Sequence, residues 1–323
     1  MELRLLEYFL RVAEFGSISR AAMDLALSQS ALSRHMGALE HELNVQLFLR
    51  DSSGVKLSDA GAELAEQART LLLQAEILRE EVGAKTLGTV NFAMPLSMQR
   101  SVTSPLIAEI VMEHPDIKVR AYEGINNVLR ETMRNGLPDL CVVAFSPIAS
   151  PLYEEAPLLR EQLYLVGNAK SGLELDRFVT ASEIADLRMV MPGRPNVVRQ
   201  MVESQLRRID RRYLNAAEAE TLPLCLDLVV RGLGYSVMPF CALFEHPLRS
   251  QVCAAPIRGM VLTWVVAINR NRMNSGTVAI AWRRMLRLIS MRIDSGMWQG
   301  AELIWRPQDN SEDNGSTPLS RIC

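Results

Sequence analysis

The stretch GSISRAAMDLALSQSALSRHMGALEHEL, Gly16 to Leu43, decides how the amino-terminal part of this chain folds. Before it, residues 3–15 place Leu3, Leu6, Phe9, Val12 and Ala13 on one side, the spacing of a helix with one buried face. Gly16-Ser17 breaks that pattern, and Ser17 is suited to cap a second helix, Ile18 to Leu25. Ser28 caps a third helix running to about Leu43, in which Leu32, Met36, Leu39 and Leu43 form a single apolar stripe. The opposite face of that third helix begins with Gln29, Ser30, Ser33 and Arg34.

Working outward, VQLFLRDSSGVKLS (45–58) holds two short apolar runs around Asp51-Ser52-Ser53-Gly54, the turn chemistry of a hairpin. Next, Leu64, Ala68, Leu71, Ala75, Leu78 and Val82 are spaced alternately by four and three residues. That heptad seam reads as a long helix that pairs two chains, its alanines permitting close approach, with a helix packed inside its own chain as the alternative. From Gly88 onward short apolar strands alternate with helices. TVNFAM, IKVRAY and LCVVAF form one set, and QLYLVG, RMVMPG, RYLNAA and GYSVMP form another. Helices are expected near 100–114, 126–135, 195–208 and 221–232. VLTWVVAIN is expected as a last strand and 276–292 as a final helix. The alternation implies a mostly parallel sheet covered on both faces, in two subdomains with a cleft between them. The polar tail RPQDNSEDNGSTPLSRIC is expected to be disordered.

A length of 323 residues suits two or three domains, and a 48% apolar composition supports a packed core. Met1–Phe9 carries Glu2 and Glu7 and lacks a small-residue cleavage pattern, so no signal peptide is expected. The longest apolar runs fall short of the ~18 residues of a spanning helix. A cytoplasmic protein without membrane contact follows as the expectation. The five cysteines, Cys141, Cys225, Cys241, Cys253 and Cys323, show no C-x-x-C spacing and read as small side chains in a reducing compartment. Neither a zinc site nor any other cofactor is expected. Enzyme readings fail on their parts: His35 and His41 lie in the third helix, and His114 and His246 precede prolines in connecting segments. No G-x-S-x-G, Walker or dinucleotide glycine fingerprint occurs.

Two short helices joined by a tight turn can lay the second in the DNA major groove, where side chains at its start reach base edges. Gln pairs with adenine, Arg with guanine, and Ser with bases or phosphates. Gly37 leaves room on the same face. Residues 1–58 contain six basic residues (Arg4, Arg11, Arg20, Arg34, Arg50, Lys56) and seven acidic ones (Glu2, Glu7, Glu14, Asp24, Glu40, Glu42, Asp51). DNA binding must therefore rest on local placement rather than on a basic field. The expected DNA-binding set is Ser17, Arg20, Ser28, Gln29, Ser30, Ser33, Arg34, Arg50 and Lys56.

FGSISRAAMDLALSQSALSRHMGALEHEL followed by VQLFLRDSSGVKLSDAGAEL resembles the DNA-binding domain of LysR-type transcriptional regulators. The family pattern there is G-S-x-x-x-A-A-x-x-L-x-x-S-Q-P-A-L-S, then L-E-x-x-L-G-x-x-L-F-x-R and L-T-x-A-G. The resemblance implies an α/β protein with an all-α N-terminal part. It would consist of a winged helix-turn-helix domain (1–58), a linker or dimerisation helix (59–87) and a two-subdomain periplasmic-binding-protein-like effector domain (88–293). Subdomain I would take 88–160 and 269–293, subdomain II 161–268, and 294–323 would be a partly disordered extension. Three positions depart from the pattern. Ser30 replaces the proline at the helix start, Asn44 replaces a glycine but tolerates a left-handed cap, and Ser53 stands where the wing often carries an arginine. The last departure shifts weight from minor-groove readout to Lys56 and Arg50.

In doubly wound folds ligands bind beyond the carboxyl ends of strands, near helix amino termini. The expected effector-binding residues are Pro95, Ser97, Met98 and Gln99 after the first strand, Asn126, Phe145 after the third strand, and Arg194 and Asn196 in PGRPNVVRQ. That segment resembles the nitrogen-assimilation branch of the family. The peroxide-sensing branch keeps a cysteine pair in loops of the second subdomain. Cys225 and Cys241 fall in a helix and after a strand, so redox sensing is not expected. The expected partners are double-stranded DNA carrying an interrupted inverted repeat, a small polar or anionic effector, further copies of the chain as dimer or tetramer, and RNA polymerase. The competing reading is a cytoplasmic solute-binding module whose amino-terminal helices serve only association.

Overall fold

The computed structural model describes residues 2–51, 54–82, 88–148 and 150–304. Ser53 and the tail from residue 305, both assigned roles above, lie outside them. Contacts divide the chain into two compact units, the first ending at Lys85 and the second beginning at Thr86.

In the first unit α1 (Leu3–Phe15), α2 (Ile18–Asp24) and α3 (Gln29–Leu43) pack on one another. Gly16 closes α1 in the left-handed region at φ 56°. The Ser17 hydroxyl accepts from the Arg20 amide at 3.4 Å, and the Ser28 hydroxyl from the Ala31 amide at 3.2 Å. Asn44 ends α3 at φ 52°, ψ 38°, the left-handed cap its side chain tolerates. Leu6, Phe9 and Val12, Ala21 and Ala22, and Leu32, Met36 and Leu39 are buried, and Phe9 meets Phe48 at 5.2 Å. Each buried large side chain contributes roughly 1.5–3 kcal/mol. A hairpin, β1 (Phe48–Asp51) with β2 (Gly54–Leu57), follows, and then α4 (Asp59–Val82).

The L-S-D-A-G turn is a set of close approaches. Ser58 donates to the Gln46 carbonyl at 2.6 Å and accepts from the Gly61 amide at 3.0 Å. A Cβ on Gly61 would sit 2.1 Å from the Leu47 carbonyl oxygen, so only glycine fits there. Packing on α1 buries the start of α4, where Ala65 and Ala68 are 2% and 1% exposed and Leu64 lies against the core. Of the expected seam, Ala68 is thus buried within the protomer and Leu64 half-buried there. Leu71 is 39% exposed and Ala75 half-buried. The side chains of Leu78 and Val82 lie outside the described residues.

The second unit begins with β3 (Thr89–Pro95), a short 3-10 turn (Leu96–Met98) and a π turn (Gln99–Thr103) leading into α5 (Ser104–Glu113). Then come β4 (Lys118–Gly124), α6 (Asn126–Arg134), β5 (Leu140–Ala144) and β6 (Tyr153–Asn168). The second lobe adds α7 (Ala181–Ala185), β7 (Arg188–Met191), α8 (Val197–Arg208), β8 (Leu214–Glu218), α9 (Leu222–Val230) and β9 (Ser236–Pro239). β10 (Val252–Asn269), α10 (Gly276–Asp294) and β11 (Ala301–Leu303) complete it.

The strands run β11-β6-β10-β5-β3-β4, with β9 also on β6 and β7-β8 forming a separate parallel pair. Only part of this matches a mostly parallel sheet. β3, β4 and β5 are parallel, whereas β6 and β10 are antiparallel to each other and to their other partners. The reason is connectivity: β6 carries the chain out of the first lobe and β10 brings it back. Both are far longer than the apolar runs QLYLVG and VLTWVVAIN suggested, because each crosses the lobe boundary. Tyr153–Gln162 pairs with Val261–Asn269 at the end of β10, and Tyr164–Asn168 with Val252–Pro256 at its beginning, with a register break between Pro256 and Val261. Trp264–Ile268 pairs with β5. Over the first part of the extension Trp298 is buried and β11 joins the sheet edge.

Candidate nucleic-acid interface and effector cleft

On α3 the capping hydroxyl of Ser28 aims Gln29 and Ser30 outward at the helix start, and both are exposed. Arg34 is exposed and makes no hydrogen bond or ion pair with a described residue, while Ser33 is half-buried. A Cβ on Gly37 would meet nothing within 4 Å, so no neighbour among the described residues demands glycine at this exposed mid-helix position. Lys56 projects from the hairpin, exposed; the Arg50 side chain lies outside the described residues. Ser17 and Arg20 have local duties as well: the former caps α2, and the latter donates to the Phe15 carbonyl at 2.6 Å. The hairpin is tied to α3 by Glu40, whose Oε1 accepts from the amides of Leu47 at 2.7 Å and Phe48 at 3.1 Å.

In the second unit a cavity of about 120 Å³ opens between the lobes. Pro95, Ser97, Gly124 and Asn126 line it from the first lobe, and Asn196, Thr221 and Ser236 from the second; Leu262 and Trp264 of the crossing strand close its back. Strand ends and helix starts converge there: β3 ends at Pro95, and α6, α8 and α9 begin at its edge. Asn126 Oδ1 accepts from the Ala144 amide at 2.8 Å, and Asn196 Oδ1 caps α8 through the Val198 and Arg199 amides at 2.9 and 3.1 Å. Thr221 precedes α9 without a side-chain cap bond, which leaves that helix start open to a ligand oxygen. Most of the wall is apolar, and Glu220 is the charged residue lining it.

Four expected effector residues lie elsewhere. Arg194 is 67% exposed and donates to Glu203 Oε2 at 2.7 Å, facing an outer groove with Arg207, Arg211 and Arg212. Glu203, held by Arg199 at 2.8 Å, draws Arg194 outward. The 3-10 turn rotates Met98 into the core at 0% exposure. Gln99 turns out to Glu123, donating at 3.0 Å, and Phe145 is 59% exposed away from the cavity. Sequence reasoning missed Thr221, Ser236, Leu262 and Trp264. Thr221-Leu222-Pro223 carries a helix-start signal, a cap residue followed by proline in the first turn. Trp264 shows no signal, because its place depends on where β10 crosses. Burial pushes the thiol of Cys225 up to about 11 and that of Cys241 well above its ordinary value, which keeps both protonated and unreactive at neutral pH.

Among the described residues no group of His, Cys, Asp and Glu is arranged to hold a metal ion, and no helix is long and apolar enough to cross a membrane. Residues 3–62 match the model of the bacterial regulatory helix-turn-helix protein, lysR family, and residues 83–288 that of the LysR substrate binding domain. The chain is 28% identical to the HTH-type transcriptional regulator BbuR of Bordetella bronchiseptica over 301 residues, covering 92% of each. It is 31% identical to the nitrogen assimilation regulatory protein nac of Escherichia coli over 246 residues, 74% of this chain and 78% of that one. In fold it resembles a full-length OxyR variant from Pseudomonas aeruginosa (TM-score 0.71, 23% identity, 95% of this chain and 99% of that one). It also resembles full-length CbnR in complex with its target DNA (TM-score 0.60, 23% identity, 89% and 100%). With the helix-turn-helix in the first unit and the two-lobed cleft in the second, the chain belongs to the LysR family of DNA-binding transcriptional regulators, with a small-molecule effector domain.

Proposed function

We propose that Gln29, Ser30, Ser33 and Arg34 read base edges in the major groove, with Lys56, Arg50, Arg20 and the hydroxyls of Ser17 and Ser28 placed toward phosphates. The observation that carries this is the exposed start of α3, whose guanidinium at Arg34 is engaged by no described residue. A bare glycine costs a helix about 1 kcal/mol relative to alanine, and at Gly37 it supports close approach of the DNA backbone. Two copies pair through the part of α4 from Leu71 onward, so the DNA site is an interrupted inverted repeat. Tetramers of two such dimers and contact with RNA polymerase fit this arrangement, and the protein works in the cytoplasm, where promoter DNA is found.

The cleft takes a small effector with an apolar body and a polar or anionic head. Ser97, Asn126, Asn196 and the open start of α9 at Thr221 are suited to the head, and Trp264 and Leu262 to the body. An effector that prefers one lobe closure shifts the arrangement of the DNA-binding units. A mobility-shift assay on the DNA immediately upstream of the protein's own reading frame, joined to a thermal-shift screen of metabolites, tests both halves. Binding no tighter there than to random DNA would overturn the first half. A stabilising metabolite that acts equally on a Ser97→Ala variant would overturn the second.

A further inference from the structure

Glu161 sits in the middle of β6, where the strand passes from the first lobe to the second, and its side chain is fully buried. Four donors surround it. Trp264 Nε1 donates to Oε2 at 2.6 Å, Trp298 Nε1 to Oε1 at 2.7 Å, the Cys241 amide to Oε1 at 2.8 Å, and the Cys241 thiol faces Oε2 at 3.5 Å. Among the described residues no basic side chain is a hydrogen-bond partner of it. A buried carboxylate without a cation is costly, and an apolar side chain of the same size would fill the space at lower cost. What an apolar residue would not do is orient two indoles and a backbone amide at once.

Those donors come from three parts of the chain. Trp264 is the back wall of the cleft. Cys241 lies in the turn Phe240–Ala242 after β9, which packs on the turn Leu96–Met98 carrying Ser97, a residue that lines the same cleft. Trp298 belongs to the segment after α10, which is stitched to β6 beside Glu161 through Ala301 opposite Glu161 and the Gln162 amide donating to the Gly300 carbonyl at 2.8 Å.

We infer that Glu161 is a positioning residue of the cleft, fixing the Trp264 wall and Ser97, and that residues 297–304 are built into the cleft through Trp298. Trp264 and Trp298 share one carboxylate, so a ligand that displaces the wall also loads the carboxy-terminal segment. The inference rests on the cleft being the effector site, as proposed above.

The test is 19F NMR of the full-length protein labelled with 5-fluorotryptophan, the resonances assigned by single Trp→Phe substitutions. Trp298→Phe keeps a ring but removes the donor. The resonance of Trp264 is expected to move and its H2O-to-D2O isotope shift to grow, while Trp282, buried on α10, stays in place. Glu161→Gln, which keeps the shape and one acceptor oxygen, is expected to move Trp264 and Trp298 and again spare Trp282. An unmoved Trp264 in Trp298→Phe overturns the inference, and so does equal movement of Trp282, which would mean general loosening. The readout needs no effector, so a positive result alongside a failed metabolite screen would count against the effector reading and leave the coupling standing.

Discussion

Glu40 holds the wing to the recognition helix, and its removal has a calculable consequence. Its Oε1 accepts from the amides of Leu47 at 2.7 Å and Phe48 at 3.1 Å, and those residues are 0% and 1% exposed. Glu40→Ala leaves two amides in a buried segment without that acceptor. Each buried donor left without its acceptor costs about 1–3 kcal/mol. Glu40 is itself half-buried, and water can reach part of the gap, so the lower ends apply. The expected loss is about 2–4 kcal/mol for the first unit, a large share of the roughly 5–15 kcal/mol that holds a domain together. Glu40→Gln keeps an acceptor oxygen and should lose only about 1 kcal/mol. Hydrogen exchange of the full-length protein, read by mass spectrometry, measures this directly. Protection at residues 46–49 should collapse in Glu40→Ala while the sheet of the second unit keeps its protection, and DNA affinity should fall with the wing. Unchanged protection at 46–49, or a loss under about 0.5 kcal/mol, would refute the reasoning.

Arg34→Ala should cost roughly 1–3 kcal/mol at the specific site and relax base choice there; equal losses on specific and random DNA would mean a phosphate contact only. Leu71→Asp should separate the paired helices and leave the second unit folded, so sedimentation showing an unchanged dimer would remove Leu71 from the seam. Ser97→Ala should abolish the response to a metabolite found in the thermal-shift screen, whereas Arg194→Ala should leave it intact because that side chain faces the outer groove. Alkylation of Cys225 by iodoacetamide in the native protein should be slow at pH 8 and accelerate as pH climbs toward about 11, with free-thiol reactivity at pH 8 refuting its burial. Because folding raises that thiol's pKa, its stabilising contribution is present below the ordinary thiol value and is lost as pH rises toward about 11.

Much of the first unit was legible in the chain because its signals are local. The caps at Ser17 and Ser28, the left-handed Gly16 and Asn44, and the stripe Leu32-Met36-Leu39 all act within a few residues. The motif positions have readable causes too: Gly61 is demanded by the Leu47 carbonyl, and Glu40 by two amides of the wing. The heptad pattern of α4 marks a long helix equally well. It does not say which of its residues are already used: with α4 packed on α1, Ala68 is buried and Leu64 half-buried within the protomer.

The cleft divides along the same line. By itself the sequence determined that strands end near Pro95 and helices begin near Asn126 and Asn196, since capping and period are local, and those residues do line the cavity. Tertiary structure alone decided the rest. Arg194 points outward because Glu203, nine residues on, is held by Arg199. Met98 is turned inward by a change of helical pitch at the start of α5. Trp264 becomes the wall, and Glu161 its anchor, because β6 and β10 run antiparallel across the lobe boundary and bring residues 103 positions apart within 2.6 Å. Periodicity records which face of an element is buried; it carries no record of what the buried face meets, because that partner is chosen by packing between segments distant in the chain.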